Sequence, residues 1–227
     1  MKEYNISLGK AFLLTAAYFG VMLFYTFLDV ALWRKISPTH SDILNIITIA
    51  ICICIFILLL RKDGYRLQLF SNINLMGIIS ALCCSVLFFL LLDKCLDPVF
   101  EGFFPQSEQD YLEMLQGLKK SPVTSLFQVC VLAPFIEEIL MRGVILGGLK
   151  NTYGIAGSLF ISSLLFGVLH FNMVQTLSAI VCGIVLGLLY IKTNCIFCCI
   201  LAHCGYNLIS YCVLMLPYIY RCAKCFV

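Results

Sequence analysis

The stretch from Val129 to Leu146, VCVLAPFIEEILMRGVIL, reads as a membrane helix with three charges in its middle. A single charge near the centre of a bilayer costs about 2.5–3.5 kcal/mol on insertion scales. Folding alone does not ask for Glu137, Glu138 and Arg142 together. They mark a polar cavity, and a polar cavity inside a membrane is by default a working site. A helix advances about 100° per residue. Glu138 and Arg142 are four apart, so they share a face with the acid toward the N-terminus, good spacing for an ion pair. Glu137 then points about 100° away and is the freer carboxylate. Pro134 removes one helical hydrogen bond, which in α-helical register frees the carbonyl of Cys130 and kinks the segment ahead of the acids.

The rest of the chain agrees with a membrane setting. Of its 227 residues, 62% are hydrophobic and 12% charged. Soluble domains carry about 45–50% and about 25%. The mean hydropathy of +1.01 points the same way. Apolar stretches long enough, or nearly so, to cross a bilayer run over 11–33, 42–60, 74–92, 123–149, 154–170, 173–191 and 195–217. The expected fold is all-α, a polytopic transmembrane helical bundle of about seven spans (six to eight are compatible), with the site among the last four helices. Lys2 and Lys10 before the first run imitate a signal peptide, but the run is too long for one and reads as a retained anchor. Lys and Arg fall evenly on alternate sides, so the positive-inside rule does not choose an orientation. The net charge of +3 is scattered through short loops, which gives no basic patch and argues against a nucleic-acid partner.

Three regions follow: N-terminal helices and a polar connector over 1–122, a membrane core over 123–217, and a short tail over 218–227. The connector proper, Asp93 to Ser121, is broken by Asp97-Pro98 and Pro105. Its second half is expected to form an interfacial helix with Tyr111, Leu112, Leu115 and Leu118 on one side, either a solvated link or a lid. Asp29 near Trp33-Arg34 reads as a snorkelling or Arg-paired acid. Most of the 14 Cys sit in apolar runs and act as small hydrophobes. Two Cys-x-x-Cys pairs, Cys195/Cys198 and Cys222/Cys225, lack the matched partners of a zinc or redox motif.

Two of the three histidines lie in late membrane segments, and His40 is in a loop. Phe166 and His170 are four apart, as are His203 and Asn207, so each pair shares a helix face. Gly143/Gly147 and Gly183/Gly187 allow close helix approach around them. From residue types alone, a hydrolytic centre, a structural polar network and a proton or ion pathway all remain open.

Glu137-Glu138-x-x-x-Arg142, Phe166-x-x-x-His170 and His203-x-x-x-Asn207, in this order and each in its own segment, resemble the CPBP family of intramembrane proteases. That family includes type II CAAX prenyl endopeptidases and the bacteriocin-processing or self-immunity Abi group. The resemblance covers roughly 124–217, with Met141 where the family commonly has Phe. It implies that Glu137 and His170 bind and activate a water, that His203 and Asn207 stabilise the oxyanion, and that Glu138, Arg142 and Phe166 support them. It leaves metal use open. Glu137, His170 and His203 are the candidate ligands for a Zn, although no His-Glu-x-x-His helix is present. Members are also described as glutamate-type proteases, and a metal-free reaction is the expectation here. The implied partners are the lipid bilayer and a membrane-associated peptide or protein, in CAAX-type processing or in pheromone or bacteriocin maturation. The small size points to a bacterial cell membrane. The rival readings are a non-proteolytic immunity or scaffold protein and, from another class, a proton-coupled transporter.

Overall fold

Prolines, asparagines and one glycine divide the apolar chain into helices. The computed structural model of the chain describes residues 4–224, without the side chains of Glu108, Tyr111, Leu112, Met114, Leu115 and 217–224. Helix α1 (Leu8–Ile36) starts at Ser7, whose hydroxyl accepts from the Lys10 N–H at 3.3 Å. Helices α2 (Pro38–Lys62), α4 (Pro105–Lys120) and α5 (122–153) each open on a proline, where no N–H is needed. Helix α3 (Leu75–Phe103) is capped by Asn74, which accepts from the Gly77 N–H at 2.8 Å. Gly154, at φ 73°, separates α5 from α6 (155–168). Asn172 caps α7 (Met173–Thr193), and Asn194, in left-handed conformation, ends it. Helix α8 (Ile196–Lys224) closes the bundle. No strand occurs among the described residues.

Five helical segments are long and apolar enough to cross a membrane: Leu8–Ile36, Pro38–Lys62, Leu75–Phe103, Met173–Thr193 and Ile196–Leu216. Their outer faces expose large apolar side chains such as Phe12, Phe24, Ile47, Leu82 and Leu188. The chain is an integral, multi-pass membrane protein. Helix α5 is different in its charged middle: Ile139, Leu140, Met141, Val144 and Ile145 have no exposed surface, so this stretch is wrapped by protein. At 1.5 Å per residue α6 extends only about 21 Å, short of a hydrocarbon core of about 30 Å.

One boundary differs from the sequence reading. The third apolar stretch does not stop near residue 92. Its helix runs on to Phe103, because Asp93 and Asp97 have partners inside the bundle. Tyr206 and Ser210 of α8 donate to Asp93 at 2.8 and 2.6 Å, and Ser178 of α7 donates to Asp97. The polar connector therefore begins later than composition suggests. On the expected face of α4, Leu118 packs against the cluster of Cys130, Tyr211 and Met215, while Tyr111, Leu112 and Leu115, like the Cys222/Cys225 pair, lie outside the described side chains. Cys195 and Cys198 are buried free thiols.

Asp29 is buried, and Arg34 binds its Oδ2 at 2.7 Å through Nε and again through its terminal nitrogen. The start of the chain is pinned to the end of α5, where the Ile6 N–H donates to the Gly148 carbonyl at 3.0 Å. This places α1 and α2 against the charged helix.

Candidate active site

The centre is built from the break in α5. Around Gln128–Leu132 the helix widens to π-helical register, and the Ala133 N–H bonds the Gln128 carbonyl five residues back. In that register the residue that should serve Val129 is Pro134, which has no N–H. The orphaned carbonyl is thus Val129, not Cys130 as α-helical spacing suggests. Asn207 of α8 supplies the missing donor, its Nδ2 lying 2.9 Å from the Val129 oxygen. One proline thereby fixes a motif residue on a neighbouring helix.

Past the break, Glu138 and Arg142 are both fully buried and paired at 2.8 Å. A second Arg142 nitrogen donates to the Gly183 carbonyl at 3.2 Å, and the guanidinium stacks 4.8 Å from the centre of the Phe166 ring. Gly183 is required here, since a Cβ on it would come within 3.0 Å of the Ser163 backbone. The same Glu138 oxygen lies 2.9 Å from His203 Nδ1, while the other, Oε2, is buried without a partner.

These contacts settle proton positions. A carboxylate paired with Arg142 only accepts, so His203 carries its proton on Nδ1 and donates to Glu138. His203 Nε2 then faces Glu137, 3.9 Å from Oε2. His170 follows the same rule. Its Nδ1 lies 3.1 Å from the Phe166 carbonyl, an acceptor only, so Nε2 is left free. Phe166 joins the set, its ring meeting His170 edge-on at 5.1 Å and His203 at 5.7 Å. The loop carrying His170 is held by Asn172, which caps α7 and donates to the Ser107 carbonyl of α4 at 2.8 Å.

The structure thus brings Glu137, Glu138, Arg142, Phe166, His170 and His203 into one contact network, with Asn207 on the next turn of the same helix as His203. Among the described residues no three His, Cys, Asp or Glu side chains gather as a metal-ligand set. Glu137, His170 and His203 do not fit one as they stand.

Glu137 alone of the acidic pair opens to a cleft. This narrow cleft lies between α5 and the first two helices. Its lining includes Tyr18, Met22 and Tyr25 of α1, Ile49 and Phe56 of α2, and Gln128 of α5. In sequence, α1 and α2 carry none of the three motifs. The available signal was Tyr18 and Tyr25, two turns apart on one face of an apolar helix.

Fold and centre together define a class: a polytopic membrane protein with a wrapped Glu-Arg-His centre beside an apolar cleft. Residues 119–209 match the family described as type II CAAX prenyl endopeptidase Rce1-like, and all three motifs fall within the match. The membrane core is therefore similar to this family, in agreement with the CPBP resemblance that the motifs carry. The chain is also 30% identical over 104 residues to a Bacillus subtilis protein named "Putative membrane peptidase YdiL". That match takes in 45% of this chain and 40% of the length of the relative. No solved structure matches the chain.

Proposed function

We propose that the protein is an intramembrane endopeptidase that hydrolyses a peptide bond in a membrane-associated protein or peptide. The observation that carries this reading is the division of labour within the acidic pair. Glu138 is locked between Arg142 and His203, and Glu137 is turned into the cleft. The family match and the peptidase name of the relative point in the same direction.

In this mechanism a water held between Glu137 and the free Nε2 of His170 attacks the scissile carbonyl carbon. Glu137 takes the water proton as general base. The tetrahedral intermediate carries its negative charge toward His203 and Asn207. Asn207 has two Nδ2 hydrogens and spends one on Val129, which leaves the second for the oxyanion. For His203 this role requires a proton on Nε2 besides the Nδ1–H that it gives to Glu138. Removing one such donor costs about 2.7–4 kcal/mol in comparable sites. The C–N bond then breaks, and the proton on Glu137 passes to the leaving amine. No step uses a metal.

The test is the purified full chain in detergent with a panel of membrane-anchored fluorogenic peptides, products read by mass spectrometry. Internal cleavage of at least one peptide, unchanged after chelation and dialysis, is expected. Chelator-sensitive cleavage would overturn the metal-free step. A chain that cleaves none of them, yet gives a bacteriocin-resistance phenotype that survives Glu137→Gln, would be a scaffold or immunity protein instead.

A further inference from the structure

The cleft beside Glu137 is walled mainly by apolar side chains, and its polar side chains are Tyr18, Tyr25, Gln128 and Glu137. A peptide bond open to attack belongs to unwound chain. Inside a membrane every N–H and C=O of unwound chain needs a partner from the protein, at several kcal/mol each if unmet. As a carboxylate Glu137 only accepts. The donors available to substrate carbonyls in this cleft are therefore Tyr18, Tyr25 and Gln128.

The two tyrosines suit that task. Elsewhere in the membrane helices, Tyr206 donates to Asp93 and Tyr211 to the Pro122 carbonyl. Among the described residues the hydroxyls of Tyr18 and Tyr25 have no hydrogen-bond partner, although Tyr18 is only 4% exposed and packs on Phe56. Seven residues of helix separate them by about 10.5 Å, which is about three residues of extended chain.

We propose that Tyr18 and Tyr25 contact the substrate, their hydroxyls donating to backbone carbonyls of an apolar peptide extended along α1 past Glu137. This rests on the reading of the Glu137 cleft as the place of hydrolysis. It assigns substrate binding to a helix outside the matched region 119–209.

The test measures binding by the full chain in detergent, in a Glu137→Gln background. The probe is a palmitoylated fluorescent peptide with an apolar centre. A matched set replaces each central amide in turn by its E-alkene isostere, which lacks the carbonyl. Tyr18→Phe and Tyr25→Phe should each weaken binding of the all-amide peptide roughly tenfold, the size of one lost hydrogen bond. For each tyrosine, one isostere should bind equally well with or without the hydroxyl. All-amide binding that ignores both substitutions, isosteres that all keep full tyrosine sensitivity, or no binding by the Glu137→Gln chain with both tyrosines in place would each overturn the assignment. Cleavage by Glu137→Gln itself would remove the hydrolytic reading while leaving the tyrosine result to stand or fall alone.

Discussion

His203 Nδ1 and Arg142 meet at the same oxygen of Glu138, at 2.9 and 2.8 Å. One buried carboxylate oxygen thereby orients the imidazole and neutralises the arginine. Removing one member of such a group leaves the other charge buried and unpaired, at about 3–5 kcal/mol. Arg142→Met should therefore lower stability by about that amount, seen as a reduced midpoint of thermal unfolding in detergent. Arg142→Lys, which keeps the charge, should cost less.

Phe166 touches Arg142 and both histidines through one ring. Each aromatic contact contributes about 0.5–1.5 kcal/mol. Phe166→Leu keeps an apolar side chain and loses the edge geometry. Stability should fall by roughly 1–3 kcal/mol, and kcat should fall with KM nearly unchanged, since the ring positions catalytic groups and does not line the cleft. Steady-state kinetics on a cleaved peptide separate the two parameters.

The glycines of α7 are not equivalent. A Cβ at Gly183 meets the Ser163 backbone at 3.0 Å, and a Cβ at Gly187 meets the tip of the Leu159 side chain at 2.3 Å. Leucine can turn aside and backbone cannot. Gly183→Ala should cost about 1–3 kcal/mol and disturb the carbonyl that Arg142 binds. Gly187→Ala should cost less despite its nearer contact. Unfolding midpoints of the two variants, measured together, decide the order.

Lys10 and Tyr4 hydrogen-bond the Asp63 carboxyl at 2.6 and 2.5 Å, where α1 meets the end of α2. The Lys10 contact first, and then the Tyr4 hydroxyl, hold Asp63 below its usual carboxylate range. A depressed folded value means that this stabilisation is complete above the unfolded value of about 3.9. It is lost as pH falls below that, through the folded value. Asp63 is 39% exposed, so solvent and salt screen the pair and the effect is small. Asp63→Asn should flatten the acid limb of the unfolding midpoint against pH, more clearly at low salt.

Much of this was legible in the sequence because its rules are local. Helix phase alone separates Glu137 from Glu138 and pairs Glu138 with Arg142. The i, i+4 spacing links Phe166 to His170 and His203 to Asn207. What escaped depends on register and on neighbours remote in the chain. The π-helical turn at 128–132 moved the orphan carbonyl by one residue. Asp93 and Asp97 looked like connector because Tyr206, Ser210 and Ser178 come from helices far along the chain. The contribution of α1 and α2 to the cleft shows in the sequence only as two tyrosines on one helix face. Tyr18 and Tyr25 gain meaning only beside Glu137.

The central claim is that Glu137 activates the attacking water. The measurement that tests it most directly is single-turnover cleavage of one membrane-anchored peptide by the native chain and by Glu137→Gln, at matched unfolding midpoints. The account predicts a loss of at least about a hundredfold, the lower end of what a positioned general base contributes. Equal rates for the two proteins would contradict it.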